Sequence, residues 1–273
     1  MPSSIALNCD CMEGMRSLPD ECIDLTVTSP PYDELRDYNG FSFDWKATIE
    51  QLARVTKTGG VVVWIVNDQT VNGSETGTSF KQALYAMEMG FNLHDTMIWS
   101  KGTTAFPDTN RYYPSFEYMF IFSRGTPKTV HLLKDKPNAW AGTKVHGTRR
   151  QKDGTLRKII NDEADKVYSE YGIRLNIWDI PGARGNFTGH PAVFPMAIPT
   201  DHIRTWSNEG DTVLDPFLGS GTTRIAAYDL NRDFIGYEIS KEYFAKQEER
   251  FERHTAQGNL FLQNLTESEG TNA

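Results

Sequence analysis

The segment Asp211-Thr-Val-Leu-Asp-Pro-Phe-Leu-Gly-Ser-Gly-Thr-Thr223 decides the fold, because it joins a short apolar strand to a glycine-rich turn and then to a helix. Gly219 and Gly221 allow backbone amides to approach a ligand where a Cβ atom would block it. The next strand, Phe234–Glu238, ends on a carboxylate nineteen positions after Gly219. Nucleotide-binding folds place the acceptor of ribose hydroxyls at about this sequence separation. The segment therefore predicts a strand–turn–helix–strand unit with a nucleoside site at its turn.

Three other interpretations of the turn are open at this point. A phosphate-binding P-loop is disfavoured, because no lysine follows the last glycine to reach phosphates. A dinucleotide site, as in a nicotinamide oxidoreductase, has only two of its three fingerprint glycines at the required spacing. A tight strand-to-helix turn without any ligand would also use these glycines. The remaining sequence has to decide between them.

The rest of the chain alternates between strand-like and helix-like segments. Further strands are predicted at Ile5–Asn8, Ile23–Val27, Val61–Val66, Phe91–Trp99 and Tyr118–Ser123. The run Val61–Val66 is continuously apolar, which is typical of a strand buried on both faces. Helices are predicted over Thr222–Leu230 and over Lys241–Arg253, the second with Ser240 as its N-cap. Strands separated by helix-length segments predict βαβ units and an α/β fold with a parallel sheet covered on both sides.

Length and composition limit the class of protein. With 273 residues, 38% of them hydrophobic and 12% aromatic, the chain can form one large domain, or one domain with an inserted module. No apolar run reaches the length of a membrane span, and the first residues lack the basic and apolar regions of a signal peptide. The three cysteines, Cys9, Cys11 and Cys22, are an odd and sparse set that favours a reducing compartment. These features predict a cytoplasmic protein without membrane contact.

The net charge of −8 hides an uneven distribution. Between Arg124 and Arg174 there are twelve Lys and Arg against six Asp and Glu, so this stretch carries +6 and the remainder −14. The densest part, Lys144 to Lys158, is rich in Gly, Thr and basic residues and is expected to project as loops. It is either a solvated insertion or a surface for a polyanion.

A second turn, Thr28-Ser-Pro-Pro-Tyr-Asp33, follows the strand Ile23–Val27. Two consecutive prolines fix φ at both positions and leave their own carbonyls free of ladder partners. A planar ring bearing an amine could stack on Tyr32 while its NH₂ donates hydrogen bonds to Ser29 and to the carbonyl of Pro30. Taken alone, this sequence is also an ordinary turn.

Together the two turns make the sequence similar to the S-adenosylmethionine-dependent DNA amino-methyltransferases, which methylate the exocyclic amine of cytosine or adenine. Thr28–Tyr32 resembles the catalytic motif of the family, and Asp215–Gly221 resembles its cofactor motif. His190–Pro195 is similar to a segment that helps to hold the methionine end of the cofactor. The catalytic motif comes first, then the basic stretch, then the cofactor motif. This order resembles that of the permuted β group. The resemblance extends from about Ile5 to Arg253.

The resemblance implies a Rossmann-like class I methyltransferase fold, circularly permuted, with a mostly parallel seven-stranded sheet and an inserted target-recognition region. The implied domains are a catalytic half at 1–123, a basic recognition insertion at 124–180, a cofactor-binding half at 181–261 and a flexible tail at 262–273. The implied partner is double-stranded DNA in a bacterial, archaeal or phage-encoded system, and a cognate restriction endonuclease and a homodimer are both left open.

The resemblance also assigns candidate residues. The expected catalytic group is Ser29, Pro30, Pro31 and Tyr32. The expected cofactor-binding group is Asp10, Thr28, Asp215, Pro216, Phe217, Gly219, Ser220, Gly221, Thr222, Glu238, His190 and Pro191. The expected DNA-binding group is Lys144, Arg149, Arg150, Lys152, Arg157 and Lys158. Asp10 could instead only cap the following helix, and Phe217 could be ordinary core packing. No metal site is expected, because Cys9-Asp-Cys11 has no complementary pair nearby.

The target base is expected to be cytosine, modified at N4. Family members that act on adenine N6 more often have Asp at the position of Ser29, and the cytosine-N4 enzymes more often have Ser. Transfer to cytosine carbon 5 would need a cysteine within a Pro-Cys motif, and none of the three cysteines follows a proline. The alternatives are adenine N6 methylation, an RNA or protein-glutamine methyltransferase, and a DNA-binding regulator without catalysis. RNA and protein enzymes usually have the opposite motif order.

Overall fold

The structure is a computed structural model that describes residues 2–31, 43–102, 109–145, 147–158, 167–182 and 195–270. Residues 149, 158 and 258–270 are described by their backbone only. Contacts divide the chain into two compact units. We call Met1–His131 together with Asn176–Ala273 the catalytic unit, and Leu132–Leu175 the insertion unit. The insertion unit is narrower than the segment 124–180 expected from the sequence.

The described residues contain fourteen strands and six helices. The strands are β1 (Ser4–Leu7), β2 (Ile23–Thr28), β3 (Thr56–Val66), β4 (Thr70–Val71), β5 (Ser74–Glu75), β6 (Asn92–Ser100), β7 (Phe116–Ser123), β8 (Lys136–Pro137), β9 (Thr148–Arg150), β10 (Leu156–Lys158), β11 (Tyr171–Gly172), β12 (Ile177–Asp179), β13 (Thr212–Asp215) and β14 (Asp233–Tyr237). The helices are α1 (Cys11–Arg16), α2 (Trp45–Val55), α3 (Thr78–Glu88), α4 (Ala197–Trp206), α5 (Thr222–Asp229) and α6 (Lys241–Gly270). No helix of this described part is long and apolar enough to cross a membrane.

The catalytic unit is built on one eight-stranded sheet in the order β1-β14-β13-β2-β3-β7-β6-β12. All neighbouring pairs are parallel except those of β7, which runs antiparallel to both β3 and β6. The α/β class and the mostly parallel sheet are confirmed. The described sheet has one strand more than the seven expected, because the three-residue strand β12 adds to β6 at one edge.

Both faces of the sheet are covered, as the apolar run in β3 predicts. Val61, Val63 and Ile65 pack into a cluster that includes Ile198 and Ile203 of α4 and Ala226 of α5. The alternate residues of the strand, Val62, Trp64 and Val66, pack into a second cluster with side chains of α1, α2 and α3. Because successive side chains of a strand point to opposite faces, a strand between two helical layers must be apolar at every position.

The last helix is longer than its composition indicates. Ser240 precedes it, and the Ser240 hydroxyl accepts from the backbone N–H of Tyr243 at 3.4 Å. The helix continues past Arg253 as far as Gly270, so most of the expected tail at 262–273 is helical backbone.

The described part of the insertion unit consists of short strand pairs and turns. β9 pairs antiparallel with β10, and β8 pairs antiparallel with β11. The turn between β9 and β10 is held by Asp153, whose Oδ1 accepts from the backbone N–H and the hydroxyl of Thr155 at 2.9 and 2.7 Å. None of the described residues between 132 and 175 is buried. In its described part, this unit therefore depends on strand pairing and turn chemistry rather than on a core of its own.

Candidate active site

The candidate site lies where four neighbouring parallel strands end. Parallel strands β1, β14, β13 and β2 have their carboxyl ends at the same edge of the sheet, where α/β folds bind ligands. Asp10, Glu238, Pro216 and Ser29 follow these four strands in that order. The topology thus explains how residues far apart in sequence meet in one place.

A cavity of about 260 Å³ opens at this edge. Nine expected site residues line it: Asp10, Ser29, Pro31, Pro216, Phe217, Gly219, Ser220, Thr222 and Glu238. The other lining residues are Cys11, Met12, Phe43, Asp44, Thr48, Leu218, Tyr237, Ile239, Ser240 and Tyr243. One cavity therefore joins the glycine-rich turn, the carboxylate after β14 and the turn after β2.

Glu238 anchors the glycine-rich turn. Its Oε2 accepts from the backbone N–H of Gly219 at 2.9 Å, and its Oε1 accepts from the backbone N–H of Ser240 at 2.9 Å. Each carboxylate oxygen can accept a further hydrogen bond, so both remain able to receive a ligand hydroxyl. Burial raises the pKa of Glu238 above its ordinary value, against the two backbone hydrogen bonds that lower it.

The turn itself requires glycine. Gly219 and Gly221 have φ values of +52° and +76°, in the left-handed region that other residues rarely adopt. A Cβ on Gly221 would also lie 3.2 Å from Cβ of Gln247 in α6. Gly221 does not line the cavity, so its role is to shape the turn and to begin α5.

Arg250 of α6 holds the same turn from behind. Its Nη1 donates to the backbone carbonyl of Ser220 at 2.7 Å and to the hydroxyl of Thr222 at 3.1 Å. Burial lowers the pKa of Arg250 from its ordinary value. No sequence motif covers this position, so Arg250 is not predictable as a site residue from the sequence.

Asp215 and Thr28 form the wall behind the cavity. The Thr28 hydroxyl donates to Oδ1 of Asp215 at 2.7 Å, and the backbone N–H of Phe217 donates to the same oxygen at 3.1 Å. Burial raises the pKa of Asp215 to about 6, although these hydrogen bonds act in the opposite direction. Neither Asp215 nor Thr28 lines the cavity. The hydrogen bond between them links the end of β2 to the end of β13. It therefore fixes the turn after β2 relative to the turn after β13.

The turn after β2 contributes Ser29 and Pro31 to the cavity, and Pro30 is buried between them. Tyr32, the remaining member of the expected catalytic group, lies outside the described residues. His190 and Pro191, expected at the methionine end of the cofactor, also lie outside them.

The position of Asp10 is compatible with both roles considered for it, capping of α1 and binding of the cofactor. Its Oδ1 accepts from the backbone N–H of Met12 at 2.6 Å and caps α1, as the simpler interpretation expects. The residue is nevertheless exposed and lines the cavity, so its carboxylate retains acceptor capacity there.

The cavity also has an aromatic wall that the sequence did not predict. Phe43 contacts Phe217 edge to face, with ring centroids 5.1 Å apart, and also approaches Trp64 at 6.4 Å. Next to it, Asp44 caps α2 by accepting from the backbone N–H groups of Lys46 and Ala47 at 3.1 Å. An aspartate before a helix is a recognisable cap signal, but nothing in the sequence places this helix start beside the cavity.

The cysteine in the cavity is not suited to nucleophilic chemistry. Burial raises the pKa of the Cys11 thiol to about 12, and burial also raises the pKa of the neighbouring Tyr237 hydroxyl to about 12. A neutral thiol is a weak nucleophile. This agrees with the sequence argument against carbon-5 chemistry.

The expected DNA-binding residues lie in the insertion unit. The β9–β10 register pairs Arg157 with Arg149, Leu156 with Arg150 and Lys158 with Thr148. The side chains of Lys144, Arg150, Lys152 and Arg157 are exposed. The pairing thus collects basic positions of both strands in one hairpin, and an anionic partner would compensate for their charge.

The cavity fits the chemistry of S-adenosylmethionine. The carboxylates of Glu238 and Asp10 can accept from ribose hydroxyls and from an adenine amine, and Phe217 and Ile239 give apolar surface for a planar ring. The backbone of Gly219 and Ser220 can approach the ligand closely.

Comparison with solved structures supports this assignment. TTHA0409 from Thermus thermophilus, in its complex with S-adenosyl-L-methionine, matches with a TM-score of 0.62 and 26% identity over 93% of this chain and 94% of that one. PvuII DNA methyltransferase, a cytosine-N4-specific enzyme, matches with a TM-score of 0.66 and 20% identity over 96% and 93% of the two chains, which shows the fold alone. The fold and the site define a class I, S-adenosylmethionine-dependent methyltransferase.

Sequence comparison identifies the family. The N6/N4 family described as DNA methylase matches residues 23–249, so the chain belongs to this family and is a DNA methyltransferase. The orphan methyltransferase M.BamHII of Bacillus amyloliquefaciens is 53% identical over 246 residues, which cover 87% of this chain and 92% of that protein. The family includes both N6 and N4 enzymes, so membership leaves the target base open.

Proposed function

We propose that this DNA methyltransferase modifies the exocyclic amine of cytosine at N4 in double-stranded DNA. The observation that carries the proposal is that Ser29 and Pro31 line the same cavity as Gly219 and Glu238. The amine site and the cofactor site are therefore adjacent. The choice of cytosine rests on Ser29, since the resemblance associates Asp at this position with adenine enzymes.

In this proposal, Ser29 and Pro30 make the exocyclic amine a better nucleophile. The lone pair of this amine is delocalised into the base, so the nitrogen is a poor nucleophile until its geometry becomes tetrahedral. Hydrogen bonds from the NH₂ group to the Ser29 hydroxyl oxygen and the Pro30 carbonyl favour that geometry and orient the nitrogen. When bound, S-adenosylmethionine supplies an electrophilic methyl group on a positively charged sulfur.

The target base has to leave the duplex to reach the cavity. Its amine is paired inside DNA, and flipping the base out costs a few kcal/mol of unpairing and unstacking. In this proposal Tyr32 stacks on the flipped base and offsets part of that cost. The acceptors at Ser29 and Pro30 then replace the hydrogen bonds that the amine made in the base pair.

The proposal assigns DNA contact to the β9–β10 hairpin of the insertion unit. A two-stranded β-ribbon fits the major groove of B-form DNA, and exposed arginines can contact phosphates or guanine edges. The charge of +6 between residues 124 and 174, within a chain of −8, supports this assignment. We retain 124–180 as the recognition region, 1–123 as the catalytic half and 181–261 as the cofactor half.

The direct test uses labelled S-adenosylmethionine and duplex DNA of mixed sequence, followed by digestion to nucleosides. Label in N4-methylcytosine is the expected result. Label in N6-methyladenine would overturn the choice of base and leave the amine chemistry intact. Label transferred only to RNA or to protein in parallel reactions would overturn the proposal as a whole.

A further inference from the structure

The segment 109–115, immediately before β7 in the catalytic unit, presents two tyrosines to solvent. Tyr112 is 100% exposed and Tyr113 is 56% exposed. A single exposed aromatic residue is common on protein surfaces, so exposure alone does not indicate a function. What distinguishes these tyrosines is the place of their segment in the fold.

The register of the sheet places the segment beside the catalytic turn. Thr28 pairs with Trp64, and Trp64 pairs with Phe120, so these residues form one row across β2, β3 and β7. β7 runs antiparallel to β3 and begins at Phe116, four residues beyond this row on the side where β2 ends. The start of β7 therefore lies about 13 Å beyond Thr28 and about 10 Å to one side of it. The segment 109–115 is attached to this projecting end.

The base of the segment is held from both neighbouring strands. The backbone N–H of Lys101, after β6, donates to the carbonyl of Ser115 at 2.7 Å. The Lys101 ammonium also pairs with the buried carboxylate of Glu117. On the other side, the side-chain amide of Asn67, after β3, donates to the carbonyl of Phe116 at 3.1 Å. The start of β7 is thus fixed relative to β3 and β6.

Arg111 holds the segment near its middle. Its Nη2 donates to the carbonyl of Gly73 at 2.8 Å, in the turn between β4 and β5. Pro114 favours an extended backbone at Tyr113. The segment contains the positive charge of Arg111 and no carboxylate. The two tyrosines are therefore presented on an anchored segment that adds no negative charge against a DNA backbone.

The reaction determines what approaches this edge of the sheet. In the proposed function the target base enters the cavity at the edge where Ser29 lines it, so the duplex has to lie against the same edge. Tyr112 is not among the residues that line the cavity. Since its side chain is fully exposed, the described residues form no pocket around it. Its position therefore suits contact with the duplex rather than with the base in the cavity.

We propose that the ring of Tyr112 inserts into the DNA stack at the position that the target base leaves. This inference rests on the proposed function, because it requires a flipped base. Proteins that unstack base steps insert apolar side chains between them, and stacking of an aromatic ring on bases tolerates any sequence. The ring replaces stacking that the neighbouring base pairs lose, and it hinders the return of the flipped base.

The test measures single-turnover methyl transfer by the full chain to two duplexes. Both contain a site that the wild type labels in the mixed-sequence assay. In one duplex the target base is paired, and in the other an abasic site replaces its partner, so no pairing has to be broken. Tyr112→Ala is expected to slow transfer to the paired duplex about tenfold or more, and to leave transfer to the abasic duplex within about twofold of wild type.

Two variants control for the loss of the ring. Tyr112→Phe keeps the ring and is expected to match wild type on both duplexes. Leu93→Ala changes an exposed apolar residue near the opposite end of β6 and is expected to leave both rates unchanged. The dissociation constant of S-adenosylmethionine should be the same in every variant, because neither position lines the cavity.

A second measurement follows the base directly. A fluorescent base analogue at the target position brightens when it leaves the stack. Binding of the wild-type chain to this duplex is expected to raise the fluorescence. Saturating Tyr112→Ala is expected to raise it less, since the flipped state loses the stacking of the ring.

Three results would overturn the inference and leave the proposed function intact. One is a wild-type rate for Tyr112→Ala on the paired duplex. Another is equal slowing on the paired and abasic duplexes, which a general structural defect would produce. The third is a Tyr112→Phe variant as slow as Tyr112→Ala, because the ring alone would then be insufficient. Failure of the wild type to label any DNA in the mixed-sequence assay would instead overturn the proposed function, and this inference with it.

Discussion

In the catalytic unit, the loops around the cavity are held by buried and half-buried hydrogen bonds, whereas the described turn of the insertion unit is held by hydrogen bonds at the surface. Glu238 fixes two backbone amides, Thr28 bonds to Asp215 across 187 positions, and Arg250 holds the turn from α6. In the insertion unit, Asp153 bonds to Thr155 in an exposed turn.

The difference agrees with the role that we propose for each unit. Transfer between a cofactor and an amine requires fixed geometry, since small displacements cost rate. Binding to a phosphate backbone requires charge and reach, and the protein can supply both from an exposed hairpin. Changes in the catalytic unit should therefore affect cofactor binding or the chemical step, and changes in the hairpin should affect DNA affinity alone.

The largest effect is expected for Ser29→Ala. Loss of the hydroxyl removes one acceptor for the amine, and losing one such hydrogen bond at a reacting group costs about a hundredfold or more in rate. Single-turnover methyl transfer at saturating cofactor and DNA measures this step, and cofactor affinity should stay unchanged. Ser74→Ala, in the exposed β4–β5 hairpin, is the control. A normal transfer rate in Ser29→Ala would show that Ser29 does not contact the amine.

The next largest effect concerns stability and pH. Burial raises the pKa of Asp215 to about 6, so the folded protein binds this proton more tightly than the unfolded chain does. The group therefore stabilises the fold below about pH 4, and its contribution, on the order of 3 kcal/mol, is lost as the pH rises through about 6. Asp215→Asn removes this titration. Its free energy of unfolding should rise relative to wild type between about pH 4 and pH 7, as measured by urea unfolding.

Asp153 in the insertion unit is the control, because its contribution to stability depends on pH in the opposite direction. The hydrogen bonds from Thr155 lower the pKa of Asp153, so its contribution to stability is present at neutral pH and is lost as the pH falls. Asp153→Asn should therefore show no relative gain on going to neutral pH. If the difference between Asp215→Asn and wild type were flat across the range, Asp215 would not titrate as its burial implies.

A moderate effect is expected for Arg250→Met. The variant loses the hydrogen bonds to Ser220 and Thr222 that hold the turn, so KM for the cofactor should rise about tenfold with kcat unchanged. Arg250→Lys should recover part of the loss. The control is Arg253→Met on the same helix, where the arginine is exposed and pairs with Glu249 at 3.8 Å. Equal effects of the two methionine variants on KM would contradict a role of Arg250 in holding the turn.

The smallest effect is expected for the double variant Arg150→Ala, Arg157→Ala. DNA affinity should fall, and the slope of its logarithm against the logarithm of salt concentration should flatten by about one for each phosphate that the variant no longer neutralises. Cofactor affinity, measured in parallel, should match wild type. An unchanged salt slope would place the DNA-binding surface outside the hairpin.

The sequence was most informative where several site residues are contiguous. The turns at Thr28–Pro31 and Asp215–Thr222 each contain several predicted site residues within a few positions, and the strand pattern places both turns at the same edge of the sheet. Phe43 and Tyr243 also line the cavity. They could not be predicted, because neither lies in a sequence motif that indicates ligand binding. Such residues are defined by tertiary packing alone.

Two other features show how tertiary structure decides a residue's role. Asp215 belongs to the cofactor motif, yet the fold places it behind the cavity wall, where it bonds to Thr28. Helix α3 has an apolar stripe that a periodicity argument would direct to the core, and the structure turns that stripe outward. In both cases the residue types were informative, and only the packing showed which neighbour they face.

The cavity at the ends of β13 and β14 is where we propose that the cofactor binds. The most direct measurement is the dissociation constant of S-adenosylmethionine for Glu238→Ala, determined by isothermal titration calorimetry. The variant loses an acceptor for the ribose hydroxyls and the anchor of the Gly219 and Ser240 amides, so affinity should fall by about thirtyfold or more. A dissociation constant equal to that of the wild type would contradict this placement of the cofactor.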